Sequence, residues 1–148
     1  MNSEFVIAVH SLVLLAHVPG NMMTSEQISS SISVHPVRVR KVLSLLRKKG
    51  YIVSKEGIGG GFILACEPQQ VCLDELYWLT SSGSIKPKWP SCNKDCVIGA
   101  HIEETMDCII GEGERQLTGY FNTFTIADIL ERTKRKAADE TRGELRQQ

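Results

Sequence analysis

No stretch of this chain is apolar for long enough to cross a membrane, which argues against an integral membrane protein. The most apolar run, residues 5–18, is interrupted by His10 and His17, and no basic segment precedes it as in a signal peptide. A cytoplasmic location is expected. Net charge is lacking too: 17 Lys and Arg balance 17 Asp and Glu. The chemistry-bearing motifs of common enzymes are missing, with no phosphate-binding glycine loop, no nucleophile elbow and no paired carboxylates in a pocket-like context. No enzymatic activity is expected, and no internal repeat marks a solenoid. What is present suits one compact domain, or a small domain with an appended arm: 148 residues, 42% of them hydrophobic.

The zero net charge conceals an asymmetry. Residues 1–65 carry seven Lys/Arg against three Asp/Glu, a net of +4. Residues 66–148 carry ten against fourteen, a net of −4. Seven cations fall between Arg38 and Lys55 with no acid among them. Such a block suits the phosphate backbone of duplex DNA, and a basic half joined to an acidic half fits a DNA-binding module with a dimerisation arm.

The order of elements supports that reading. A first helix is expected over residues 3–17, with Phe5, Val6, Val9, Leu12, Val13 and Ala16 on its apolar face. Pro19, Gly20 and Asn21 end it. Thr24 with Gln27 forms a capping box for a second helix ending near Ser31, with Ile28 and Ile32 as its seam. Pro36 opens a third helix through residue 49, burying Val39, Val42, Leu43 and Leu46, and Gly50 stops it. Residues 51–55 and 62–65 read as a hairpin around a glycine-rich turn. Three helices and a hairpin are the winged helix-turn-helix plan.

A short helix follows at 73–80, then a polar loop at 81–90. A long amphipathic helix is expected at 97–117, with Ile98, Ile102, Met106, Ile109, Ile110 and Leu117 as its apolar stripe. Glu103, Glu104, Asp107, Glu112 and Glu114 lie mostly opposite. Thr125 caps a last helix to about Lys136, and residues 137–148 are expected to be frayed. The fold class is therefore mainly α with a small β-hairpin wing. Its parts are a winged helix-turn-helix domain (1–80), a cysteine-containing hinge loop (81–96), a dimerisation helix with a C-terminal helix (97–136), and a flexible tail (137–148).

Residues 36–43 (PVRVRKVL), 46–50 (LRKKG) and 57–64 (GIGGGFIL) resemble the bacterial winged-helix regulators that include IscR, NsrR and CymR. The triple-glycine wing is the most specific element. Cys96-Val-Ile-Gly99 and residues 125–130 (TIADIL) resemble the family's long and last helices. The likeness spans about residues 3–131. It implies a homodimer crossed through the long helix, with sensing cysteines in the loop before it.

On this plan the recognition helix enters the major groove at its N-terminal end, which points to His35, Pro36, Val37, Arg38, Arg40 and Lys41. Arg38 or Arg40 is the best candidate for bidentate readout of guanine, and Val37 for an apolar contact. Thr24, Ser25 and Gln27 begin a helix whose N–H groups suit phosphate. Lys55, Gly59, Gly60 and Gly61 form the wing, where glycine permits close approach; a tight hairpin with no ligand contact also accounts for the glycines.

Five cysteines in a cytoplasmic protein are expected as reduced thiols or ligands. Cys66, Cys72 and Cys108 read as structural. Cys92 and Cys96 sit in the polar loop, and Cys96 at a helix start beside Lys94 should have a lowered pKa. The resembled cluster-binding members place three cysteines in this region and the present chain offers two, so no cofactor or metal is expected. A thiol switch at Cys92 and Cys96 is more economical, beside the alternative of two unreactive loop thiols. The function read from the sequence is a homodimeric DNA-binding regulator, expected to be a repressor of a pseudo-palindromic operator, with redox or nitric-oxide sensing at the hinge. A cluster-dependent regulator of the same fold and a protein-interaction winged helix stay open as alternatives.

Overall fold

The computed structural model describes residues 2–18, 20 and 22–145, with side chains through Arg142. Pro19 and Asn21, expected to break the first helix, lie outside the described residues, as does the end of the chain from residue 146. No helix among the described residues is long and apolar enough to cross a membrane.

Helix α1 (Ser3–His17) is the centre of the fold. Asn2 caps it, accepting a hydrogen bond from the Phe5 amide at 3.2 Å. The Asn2 side chain also donates to the Thr80 carbonyl at 2.7 Å, which ties the start of α1 to the end of α4 (Leu73–Ser81). The buried face is not the one expected. Phe5, Ile7, Ala8, Ser11, Leu12 and Leu15 are buried, Val9, Val13 and Ala16 are only partly covered, and Val6 is 55% exposed. The helix is apolar around most of its circumference and packs against α2 (Ser25–Ile32), α3 (Pro36–Lys48), α4 and α6 (Ile126–Leu145), so helical periodicity selects no single face.

Helix α2 (Ser25–Ile32) starts at the expected capping box, with Thr24 and Gln27 bonded reciprocally at 3.2 and 2.8 Å. Ser33 turns the chain through φ 58°, and α3 (Pro36–Lys48) follows with Val39, Val42, Leu43 and Leu46 fully buried. Gly50 at φ +83° ends it. Strands β2 (Ile52–Lys55) and β3 (Gly61–Leu64) form the hairpin. A further strand, β1 (Met22–Met23), pairs antiparallel with β3 and makes a three-stranded sheet of order β1-β3-β2. Two residues are too short to show an alternating pattern.

Helix α5 (Val97–Phe121) runs four residues past its expected end, through Gly111 and Gly113. Helix α6 (Ile126–Leu145) also outruns expectation: residues 137–145, read as frayed, continue the helix. In that stretch Ala137, Ala138, Glu140, Arg142 and Leu145 are strong helix formers. The expected Thr125 cap is present, with the Asp128 amide bonded to its hydroxyl at 3.3 Å.

Glu114 departs most from expectation. Assigned to the polar face of α5, it is only 6% exposed. Its carboxylate accepts the Tyr77 hydroxyl at 2.6 Å and the Gly83 amide at 3.0 Å. One side chain thus joins α5 to α4 and to the start of the loop that follows α4. Around it, Phe121 stacks on Phe5 at 5.5 Å and meets Tyr77 edge-on at 6.1 Å. Glu114→Ala takes the acceptor from the buried Tyr77 hydroxyl and the half-buried Gly83 amide and should lower the unfolding free energy by about 1–3 kcal/mol. An unchanged urea midpoint would show that the carboxylate does not anchor this junction.

Candidate nucleic-acid interface

The α2–α3 pair presents its basic residues by construction. Burial of Val39, Val42, Leu43 and Leu46 fixes the rotation of α3 and leaves Val37, Arg38, Arg40 and Lys41 outside. The N-terminal turn is held in place: Ser29 Oγ donates to the Val34 carbonyl at 2.5 Å, and His35 Nδ1 accepts the Val37 amide at 3.3 Å. His35 is exposed, Pro36 half-buried and Val37 60% exposed.

The cations differ in what they touch. Arg38 donates to Ser3 Oγ and has no carboxylate partner among the described residues. Arg40 pairs with Glu26 at 3.0 Å, and its Nε reaches Ser25 Oγ at 3.4 Å. The Arg40 guanidinium beside Glu26 holds that carboxyl below its ordinary pKa. Lys41 pairs with Glu4 of α1 at 2.5 Å. Arg47 donates to Ser54 Oγ at 3.1 Å, joining the end of α3 to the wing. On α2, the Thr24 and Gln27 side chains are engaged in the capping box, and Ser25 is buried with its hydroxyl turned to Glu26 at 3.1 Å.

The wing glycines have an internal reason. Gly57 and Gly59 hold φ of +91° and +73°. A Cβ on Gly60 would lie 2.2 Å from the Lys55 carbonyl, and one on Gly61 would lie 2.8 Å from the Met23 carbonyl of β1. The turn and the missed strand therefore demand these glycines whether or not DNA approaches. Lys55 is exposed beside them, and Ile58 projects fully into solvent at the tip. The sequence reading passed over Ile58, although a large apolar residue between two turn glycines was visible there. It also passed over Glu4 and Glu26, whose partners are 37 and 14 residues away and give no local signal.

Cys96 is the N-cap of α5 and is exposed. The Gly99 and Ile98 amides at the helix start pull its pKa down; the lowering comes from these N–H groups and not from Lys94. Gly99 lets the loop close tightly, since a Cβ there would lie 2.4 Å from the Asn93 carbonyl. Cys92 is half-buried and donates to the Pro90 carbonyl at 3.4 Å. Trp89 Nε1 donates to Asp107 at 3.2 Å, holding the loop on α5. Burial pushes the Cys66 and Cys72 thiols up, which suits the structural role expected of them. Cys108, also read as structural, is exposed: it stands on the solvent side of α5. All five are free thiols.

The stripe on α5 is largely uncovered. Ile98 and Ile109 are 69% and 59% exposed, Ile102, Met106 and Ile110 are half-buried, and Leu117 packs against the chain's own core. A cleft of about 630 Å³ runs between α1 and α6, lined by Phe5, Val6, Val9, Val13, Ile129 and Leu130 among others.

Residues 1–132 match the Rrf2 family model, described as an iron-dependent transcriptional regulator. The chain is 25% identical over 131 residues to the candidate HTH-type transcriptional regulator YwnA of Bacillus subtilis, covering 88% of this chain and 96% of that one. It is similar in structure to a candidate transcriptional regulator from Lactobacillus plantarum, with 28% identity, a TM-score of 0.80 and coverage of 97% and 98% of the two chains. The fold also resembles T. potens IscR, with 19% identity, a TM-score of 0.67 and coverage of 90% and 87%. These are regulators and not enzymes. Iron would need converging donors, and no three His, Cys, Asp or Glu side chains come together among the described residues. The donor set of one chain, Cys92 and Cys96 with no third donor converging on them among the described residues, does not fit an iron or cluster site.

Proposed function

Because the chain belongs to the Rrf2 family of transcriptional regulators, we propose that it is a homodimeric repressor that reads DNA with α3 and responds to thiol oxidation at its hinge. The observation that carries the DNA reading is the free end of α3. Val37 and Arg38 stand exposed on its first turn, and Arg38 makes no ion pair among the described residues. His35, Pro36, Arg40 and Lys41 flank them, Thr24, Ser25 and Gln27 offer the α2 N-terminus to phosphate, and Lys55 with Gly59–Gly61 lies along the adjoining groove. Residues 1–80 form the reading module, 81–96 the hinge, and 97–136 the assembly arm.

The uncovered stripe of α5 and the apolar α1–α6 cleft lie on the same chain. A two-fold axis satisfies both at once: the stripe of each protomer crosses its twin and seats in the other's cleft. The operator is then a pseudo-palindrome with half-sites about 34–36 Å apart or a multiple of that. At the hinge, the Cys96 thiolate adds to a nitrogen of an oxidant such as diamide, and the Cys92 thiolate then attacks the Cys96 sulfur, breaking the S–N bond and releasing the hydrazine. The disulfide forms as diamide takes two electrons and two protons. This distorts the start of α5 and moves the half-sites out of register.

Genomic fragments selected by the purified protein, with and without diamide, test the reading as a whole. Arg38→Ala should cost about 1–3 kcal/mol on the selected operator and little on random duplex. Equal affinity for operator and random duplex in the parent protein would remove DNA reading. Ile109→Glu, placed at the centre of the stripe, should sediment as a monomer at micromolar concentration; an unchanged dimer would locate the interface elsewhere. Cys96→Ser should bind operator like the parent and ignore diamide. If it still releases DNA on oxidation, the switch is not at this thiol.

A further inference from the structure

The DNA-facing cations of α3 are not equally available. Lys41 is held by Glu4 at 2.5 Å and Arg40 by Glu26 at 3.0 Å, while Ser25 Oγ donates to the other Glu26 oxygen at 3.1 Å. Glu4 and Glu26 come from the first turns of α1 and α2, where a carboxylate is also favoured by the helix dipole. Both acids therefore stand in fixed positions beside the helix that enters the groove. They are two of only three acids in the basic half of the chain.

We infer that Glu4 and Glu26 act as internal stand-ins for phosphate, withholding Lys41 and Arg40 from DNA of arbitrary sequence. The inference rests on α3 being the DNA-reading helix. Non-specific binding is almost wholly electrostatic, so its strength follows the number of cations free to displace counterions from the duplex. A cation already paired with a carboxylate must break that pair before it gains a phosphate. Exposed pairs are weak, so the contact does not lock the helix; it removes the gain from a loose encounter. Arg38, whose contact is a serine hydroxyl, stays available for reading bases. Discrimination is a difference between affinities, and weakening the wrong complex serves it as well as strengthening the right one.

The test is binding to random-sequence duplex across a salt series. Glu4→Gln and Glu26→Gln are near-isosteric, and a thermal melt by circular dichroism checks that each variant folds. Each should bind random duplex about two- to fivefold more tightly at 0.1 M salt. Each should also steepen the slope of log K against log salt by up to about 0.9, one phosphate contact. A double-mutant cycle isolates the mechanism: Glu4→Gln should have no effect in a Lys41→Ala background, and Glu26→Gln none in an Arg40→Ala background. An equal gain in those backgrounds would mean general charge removal and would overturn the pairing role. Unchanged affinity and slope in both single variants, with an operator still selected by the parent, would overturn the inference and leave the DNA reading intact. A parent that binds neither operator nor random duplex at low salt would overturn both.

Discussion

The rest of the structure depends on the burial of α1. This helix has almost no polar face to offer water, so it is stable only when surrounded. Helix α3 and the sheet cover one side, α4 covers another and α6 lies along a third. A fully buried leucine such as Leu12 or Leu15 contributes on the order of 2 kcal/mol relative to exposure, and several such residues share the helix. The winged-helix elements and the C-terminal helices are thus built on one common post and share one core.

That arrangement carries contacts in both directions. The first turn of α1 touches α3 through Ser3 with Arg38 and Glu4 with Lys41. Asn2, just before it, touches the end of α4. The same helix also lines the α1–α6 cleft. A rotation of α1 would therefore be felt at the exposed face of α3 and in the cleft together, with no intervening chain of residues.

The parts of the fold written in local pattern were legible. The capping box at Thr24, Pro36 at the start of α3, Gly50 at its end and the glycine-marked hairpin all act within a few residues of themselves. Strand β1 was not legible, because it exists through pairing with β3 about 40 residues away and has no period of its own. The face of α1 was not legible for the opposite reason, an excess of apolar residues. Glu114 misled because a carboxylate among other acids on a helix reads as solvated, and only the Tyr77 hydroxyl and Gly83 amide make its burial tolerable. At the candidate interface the exposed residues of α3 followed from its buried ones. The neutralising partners of Arg40 and Lys41 did not, since ion pairs between helices leave no mark in periodicity.

Glu114 also fixes the mechanics of the long helix. It grips α5 near its C-terminal end, while Cys96 marks the other end eighteen residues earlier, about 27 Å away along the axis. Between them the helix carries its uncovered stripe and, within the chain, has the preceding loop at Trp89 and Asn93 resting against it. Such a helix is a lever with its fulcrum in the hydrophobic core. A tilt of about 5° at the fulcrum displaces the tip by roughly 2 Å, a distance set by the helical rise. Length turns a small angular adjustment beside Tyr77 into a shift comparable to a hydrogen bond at the far end.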